Sequence, residues 1–216
     1  AVYRDQGGHQ RLAIVDAATG QLRGDMDIGA ISPRQMALDA ARKRLYLAGD
    51  AQIEVRDVET LKVVGALPYP FQATDQQVAF DLEADRLYLS VSSVLYAYRA
   101  TDLSLLWTRE APTQRITGLI VDASGTRLLA QGSSEEQGQT ARRVLLYTSE
   151  GEPAGEVMPQ GVEEWQLVWA DAAASDGAGR IVYQETAYAT QGARTRLWSS
   201  DMAGQAVGGP VLLESG

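Results

Sequence analysis

The stretch MALDAARKRLYLAG at residues 36–49 indicates a repeat fold, because it recurs along the chain at nearly equal spacing. Further copies are VAFDLEADRLYLSV at 78–91 and LIVDASGTRLLAQG at 119–132. In each copy an apolar stretch ends in aspartate. An arginine follows five residues later, immediately before a second apolar stretch. The aspartates are Asp39, Asp81 and Asp122, and the arginines are Arg44, Arg86 and Arg127. Self-similarity at a fixed period of this length is the signature of a repeat protein.

A second motif alternates with the first. It reads LAIVDAATGQL at 12–22, IEVRDVETLKV at 53–63, LYAYRATDLSL at 95–105, VLLYTSEGEPA at 144–154 and TRLWSSDMAGQ at 195–205. These segments are short, rich in β-favouring residues and bounded by turn formers, which is typical of strands. No segment keeps a helical period of 3.6 residues over helical length. Each repeat therefore predicts four strands and almost no helix.

In the second repeat we expect strands near 35–39, 44–48, 52–57 and 62–67. Four-stranded units that stack on their neighbours bury both faces, and radial stacking gives a β-propeller. The sequence thus predicts an all-β protein of four-stranded antiparallel blades, about 4.5–5 of them, in a single propeller domain or propeller fragment. The predicted blades cover 1–30 (in part), 31–69, 73–111, 115–159 and 164–216.

Three segments carry a resemblance to a known family. VDAATGQL (15–22), RDVETLKVVGALP (56–68) and RLYLAG (44–49) resemble YVTN-type β-propeller repeats, a branch of the WD40-like and quinoprotein-like propellers. The long inserts at 132–143 and 186–194 depart from that pattern. The resemblance implies a propeller fold and an extracytoplasmic setting, in the periplasm or at the cell surface. It implies no reaction, because propellers of this kind include both enzymes and binding modules.

The blade count leaves two interpretations open. The family often has seven blades, whereas this sequence provides about four and a half and opens inside a repeat, near Val2 and Tyr3. We expect a piece of a larger ring in preference to a small five-bladed one. An incomplete blade would leave an unpaired strand edge, which predicts association through that edge.

Composition excludes several classes of partner. The chain has 19 basic and 28 acidic residues, no cysteine and a net charge of −9. A nucleic-acid or anionic-membrane partner is not expected, since the basic clusters at 42–44 and 142–143 are small. Without cysteine there is no disulfide and no thiolate metal site. No apolar run reaches the roughly 20 residues that a membrane-spanning helix needs.

A binding surface is predicted on one face of the propeller, where loops between blades meet loops between second and third strands. Long loops of the latter kind are expected at 133–139 and 188–194. Planar cationic and aromatic groups, which are enriched in binding hot spots, occur in these loops. The candidate binding residues are Arg34, Tyr69, Phe71, Arg115 and Trp165. An alternative stays open: the aromatic rings cap the blade core, and the arginines pair with acidic residues.

No catalytic residue, metal site or cofactor is predicted. His9, the only histidine, lies in a Gly-rich loop, so histidine-dependent catalysis and a zinc site are not expected. The aspartate that recurs once per blade, with Asp171 as its fourth copy, indicates a structural turn. Oxygen ligands at 171–177 would suit calcium, but a hairpin turn explains that segment better and the calcium question stays open.

Two functions follow from these observations. The first is a non-catalytic propeller that binds a protein, peptide or glycan partner through its loop face. The alternative is an enzyme on the same fold, either a lactonase-like hydrolase or a quinone- or metal-dependent dehydrogenase. Its chemistry would lie in residues that are not evident here. Glycoside hydrolysis, which needs two carboxylates across a pocket, is a separate case, in which Asp75 with Glu164 is the better placed pair but nothing singles it out.

Overall fold

The computed structural model describes most of the chain. The described residues are 2–29, 31, 33–70, 75–122, 125–136, 139–157, 168–175, 180–189, 192–201 and 206–213. They form nineteen β-strands and no helix. Within the described part, no helix has the length and apolarity needed to cross a membrane.

The strands form five antiparallel sheets, and in each sheet the strand order follows the chain. Blade 1 has three strands, β1 (Val2–Arg4), β2 (Gln10–Val15) and β3 (Leu22–Gly29). Blade 2 has four, β4 (Gln35–Asp39), β5 (Arg44–Ala48), β6 (Gln52–Asp57) and β7 (Val63–Pro68). Blade 3 comprises β8 (Gln77–Asp81), β9 (Arg86–Val91), β10 (Val94–Arg99) and β11 (Leu105–Glu110).

Blade 4 comprises β12 (Arg115–Val121), β13 (Arg127–Glu136), β14 (Gln139–Thr148) and β15 (Pro153–Val157). Blade 5 comprises β16 (Val168–Ser175), β17 (Arg180–Ala189), β18 (Gly192–Asp201) and β19 (Ala206–Leu213). This architecture of four-stranded antiparallel blades is that of a β-propeller and confirms the predicted fold class. The chain divides into two compact units, unit 1 (Ala1–Thr74) and unit 2 (Asp75–Gly216), each of which is described by itself.

The recurring aspartates close the turn between the first and second strands of a blade. Their side chains are buried, with 5–9% of the residue exposed. In each case one carboxylate oxygen accepts a backbone N–H bond, from within the turn for two of them and from the first residue of the next strand for Asp122. The donors are Arg42 to Asp39 (2.9 Å), Ala84 to Asp81 (3.1 Å) and Arg127 to Asp122 (2.8 Å). These aspartates are therefore structural.

The apolar core differs between the units. In unit 1 a small cluster joins blades 1 and 2 through Leu12, Ile28, Ile31 and Leu47. In unit 2 a larger cluster joins blades 3 and 4, and it includes the aromatic residues Tyr88 and Tyr147. Its buried members are Ala79, Tyr88, Leu95, Ala97, Ala111, Ile116, Leu119, Leu128, Ala130, Leu145 and Tyr147.

Two predictions on the inserts are wrong. Residues 133–139 and 188–194 were expected as loops, but both inserts lengthen the second and third strands of their blades. The pairing runs to Glu136 opposite Gln139 in blade 4 and to Ala189 opposite Gly192 in blade 5. Because the added residues pair across the hairpin, the backbone groups are satisfied and the strands continue.

The position of Asp171 in its blade also differs from the predicted one. It does not end the first strand of its blade, because β16 continues to Ser175. The register shifts between Ala170 and Ala172, so Asp171 lies at a bulge. The extra residues that the sequence places after Asp171 therefore go partly into a longer strand.

Candidate functional site

Three segments of blade 2 meet on the face where a binding surface was predicted. The backbone N–H of Arg34 donates to the carbonyl of Ala48 at 2.8 Å, which ties the segment before β4 to the end of β5. The N–H of Tyr69, after β7, donates to the carbonyl of Ala51 at 3.0 Å. The loop between β5 and β6 is thus held from both sides, and side chains on it have a rigid base.

Tyr69 stabilises this arrangement from the buried side of the loop. Only 8% of the residue is exposed, and its hydroxyl donates to the carbonyl of Gly49 at 2.9 Å. Burial raises the pKa of Tyr69 to about 12, while the nearby Arg34 lowers it and Asp50 raises it. Tyr69 stays protonated at neutral pH and keeps donating this bond. Because the ring of Tyr69 is buried, it is poorly exposed to a partner, and its role is to position the loop.

Arg34 and Asp50 form an ion pair at the surface above Tyr69. The Nε atom of Arg34 lies 2.7 Å from Oδ1 of Asp50, and both side chains are more than half exposed, at 58% and 61%. An exposed pair of this kind adds little to folding stability because water screens it. Both groups can therefore exchange their mutual contact for contacts with a bound molecule.

A pocket of about 210 Å³ opens beside this pair. Its lining residues are Ile31, Asp50, Ala51, Gln52 and Glu54. The pocket is smaller than the roughly 300–1,000 Å³ typical of small-molecule sites, so it accommodates about one side chain or one sugar ring. The carboxylates of Asp50 and Glu54 and the amide of Gln52 give it hydrogen-bonding groups at one end.

Glu54 is held by a buried contact that sequence analysis missed. Arg56 donates to Oε2 of Glu54 from Nη2 at 2.7 Å and from Nε at 3.1 Å, and Gln52 donates to Oε1 at 3.2 Å. A third bond runs from Arg56 to the carbonyl of Leu61 at 3.1 Å. The sequence carries a signal for this contact. Polar residues alternate with Ile53 and Val55 along β6, which puts all three polar side chains on one face of the sheet.

The remaining predicted binding residues fall elsewhere. Arg115 of unit 2 lies 3.6 Å from Asp75 and its side chain is 55% exposed. Its segment is tied down as in blade 2, since the N–H of Gln114 donates to the carbonyl of Ser133 at 3.1 Å. Phe71 and Trp165 lie outside the described residues. The binding roles of all five residues stay predictions.

The segment around His9 offers no assembled catalytic group in the described residues. His9 is exposed, and its Nδ1 lies 3.6 Å from Oδ2 of Asp5. The backbone N–H of His9 donates to Asp5, which holds the pKa of that carboxyl below its usual value. Across the described part of the chain, no group of three or more His, Asp or Glu side chains is close enough to hold a metal ion.

Comparison with known proteins supports the fold. No family model matches the chain, and no curated protein matches its sequence. A solved structure of hydrazine synthase from Kuenenia stuttgartiensis matches with a TM-score of 0.72 over 99% of this chain, at 13% sequence identity. The chain covers 62% of the length of that structure. Identity this low shows a shared fold, which supports the propeller, and carries no statement about activity.

Proposed function

We propose that this chain is a non-catalytic β-propeller that binds a protein or peptide partner through the loop face of blade 2. The observation that carries the proposal is the exposed Arg34–Asp50 pair at the rim of a small pocket, fixed in place by Tyr69. Rigid loops that present exchangeable polar groups beside a cavity are where binding concentrates on such scaffolds.

The size and chemistry of the pocket favour a polypeptide partner. A volume near 210 Å³ suits one anchoring side chain, as in a protein interface where a few anchors fill pockets. Arg34 offers donors, and Asp50 offers acceptors, so the rim recognises a partner with both a carboxylate or carbonyl and a basic or amide group. A glycan would need further hydrogen bonds around its ring and is the second outcome of the test.

We also propose that the chain belongs with YVTN-type propellers and works outside the cytoplasm. The supporting observations are the repeat motifs at 15–22, 44–49 and 56–68. These two points concern the setting of the protein, and the binding test below does not depend on them.

The test uses labelled full chain on a peptide array and on a glycan array, followed by titration of the best ligand. Arg34→Ala with Asp50→Ala should lose most of the binding while the melting temperature stays unchanged. The matched control is Lys43→Ala with Glu59→Ala, which removes an ion pair of equal exposure on the turns between other strands of the same blade.

The expected result is a peptide ligand that the Arg34/Asp50 variant no longer binds and the Lys43/Glu59 variant binds normally. Selective capture of a glycan would replace the partner class. Equal loss of binding in both variants, or binding that survives the change at Arg34 and Asp50, would rule out this site.

A further inference from the structure

The wall of the blade 2 pocket is acidic. Among the described residues that line it, the charged ones are Asp50 and Glu54, and none is basic. Gln52 adds an amide, while Ile31 and Ala51 form the apolar part of the wall. A group that enters the pocket therefore meets two carboxylates together with an apolar surface.

Ile31 gives the pocket a fixed apolar side. Only 8% of the residue is exposed, and it packs with Leu12, Ile28 and Leu47 in the cluster between blades 1 and 2. Gly49 makes room for it, since a Cβ atom on that glycine would lie 2.6 Å from Cγ1 of Ile31. Ile31 therefore offers a well-anchored surface on which an alkyl chain can pack.

Glu54 is the fixed acidic group of the wall. Its side chain is 13% exposed, Arg56 donates twice to Oε2, and Gln52 donates to Oε1 at 3.2 Å. A carboxylate oxygen accepts about two hydrogen bonds, so Oε1 can accept one more. Because Oε2 is already engaged by one guanidinium, Glu54 is poorly placed for a second bidentate pair with an arginine. It suits a donor that approaches a single oxygen, as an ammonium group does.

The acidic wall is a property of blade 2 and not of the repeat. In blades 3 and 4 the positions of Glu54 and Arg56 hold uncharged residues, which are Tyr96 and Tyr98 in blade 3 and Leu145 and Tyr147 in blade 4. The repeat therefore folds without charges at these positions. A buried ion pair is often no more stabilising than apolar residues of similar volume. Folding alone does not account for the Glu54–Arg56 pair, whereas a pocket that needs a fixed carboxylate does.

We propose that this pocket selects a lysine side chain of the bound peptide. The alkyl stem packs on Ile31 and Ala51, and the ammonium group donates to Glu54 and Asp50. Lysine matches the wall because its charged group only donates and its stem is apolar. Arg34, at the rim, is left to donate to a carbonyl of the same peptide. This inference rests on the proposed function and adds the residue type that the site selects.

The probes are capped peptides of the form Ac-Gly-Ala-Xaa-Ala-Gly-NH2, in which Xaa is lysine, arginine, norleucine or glutamate. Each is titrated into the ¹⁵N-labelled full chain, and the amide chemical shifts at 31 and 49–54 give the dissociation constant. The lysine peptide should bind most tightly. Norleucine keeps an alkyl stem without the ammonium group and should bind about tenfold more weakly, since charged hydrogen bonds are lost. The glutamate peptide should leave these amides unshifted.

Butylammonium is the probe for a small amine in place of a peptide. It has an alkyl stem and a positive charge but no backbone, so Arg34 finds no carbonyl on it. It should shift the amides at 49–54 more weakly than the lysine peptide does at the same concentration.

Protein variants locate the selectivity. Asp50→Asn should weaken the lysine peptide several-fold and leave the norleucine peptide unchanged. The matched control is Glu59→Gln, which removes a carboxylate of similar exposure, 65% against 61%, on the same blade and should bind the lysine peptide normally. Glu54→Leu with Arg56→Met makes these positions apolar, as in blade 4, and should lose the preference for lysine over norleucine. Circular dichroism checks that this variant is folded, and Asp50→Asn tests the selectivity at an exposed position.

Three results would overturn this inference and leave the loop-face site intact. They are equal shifts at 49–54 with the norleucine or glutamate peptide, tighter binding of the arginine peptide, and butylammonium binding as tightly as the lysine peptide. A lysine peptide that shifts none of the amides at 31 and 49–54 would also overturn it. The array experiment with the Arg34/Asp50 variant then decides separately on the proposed function.

Discussion

The interface between blades 1 and 2 and the interface between blades 3 and 4 come from the same repeat but use different chemistry. In unit 1 a buried ion pair, Arg56 with Glu54, lies beside four apolar residues, and Arg56 reaches Met26 of β3. In unit 2 the space is filled by tyrosine, leucine and alanine. Two repeats with the same strand spacing can therefore form either a polar or an apolar interface between their blades.

The apolar interface is completed by aromatic contacts. Tyr88 and Trp107 lie with ring centroids 6.0 Å apart. The indole N–H of Trp107 donates to the carbonyl of Ser149 at 3.0 Å, which joins β11 to the turn before β15. The ring also lies against Gly151, where a Cβ atom would come within 2.7 Å of it. In unit 2, close packing therefore fills the part of the blade interface that the ion pair fills in unit 1.

The largest expected effect comes from breaking the polar interface. Glu54→Ala leaves Arg56 buried without a carboxylate and should lower the free energy of unfolding by about 3–5 kcal/mol. Urea denaturation followed by circular dichroism, with hydrogen exchange of β6, measures this. Replacing both residues with apolar ones, Glu54→Leu with Arg56→Met, should recover most of the loss. A loss below about 1 kcal/mol in the single variant would show that the pair does not hold the interface.

A substitution at Gly151 tests the apolar interface between blades 3 and 4. Gly151→Ala combines a positive φ of 81° with a clash against Trp107 and should cost roughly 2–3 kcal/mol. The matched control is Gly20→Ala, which has a φ of 70° and open space, and should cost about 1 kcal/mol. Urea denaturation followed by circular dichroism measures both costs, because Gly20 lies in unit 1 whereas all four tryptophans lie in unit 2. Equal costs at the two glycines would show that packing on Trp107 contributes nothing.

The smallest effect concerns the loop face, where blade 2 has Tyr69 and blade 3 has Ala111 at the same position. Both backbone N–H groups make the same bond, to Ala51 and to Ser93, but only tyrosine adds a side-chain bond. Tyr69→Phe should cost about 1 kcal/mol at neutral pH. The measurement is denaturant unfolding of both proteins at pH 7.

The same variant carries a pH prediction. Burial raises the pKa of Tyr69 from 10.0 to about 12, so the folded state holds its proton more tightly than the unfolded state. This contribution to stability is complete below pH 10 and is lost as the pH rises towards 12. The unfolding free energy of Tyr69→Phe should fall less steeply over that interval. Parallel curves for the two proteins would contradict the assignment.

The repeat made the fold predictable, because strand spacing and turn aspartates are local properties. The expected strands of blade 2 at 35–39, 44–48 and 52–57 coincide with β4, β5 and β6, and the fourth differs by one residue at each end. The hairpins at 133–139 and 188–194 were missed because polar residues such as Ser, Glu and Gln read as loop. Pairing across the hairpin overrides that local preference.

The candidate site was predictable only in part. Its face followed from the order of strands in a propeller, and Arg34 was chosen for its residue type. That Tyr69 points inward could not be read from the sequence, since the direction of its side chain depends on the turn after β7. The pairing of Arg34 with Asp50 and the burial of Glu54 with Arg56 depend on contacts between strands, which residue type alone does not specify.

Hydrogen exchange of the complex with the best peptide ligand measures whether the loop face of blade 2 is the binding site. A binding site on this face predicts slower exchange at 31–34 and 49–52 on binding, with no change in the turn at 40–43 of the same blade. Protection confined to 40–43, or spread over unit 2 with none at 49–52, would contradict it.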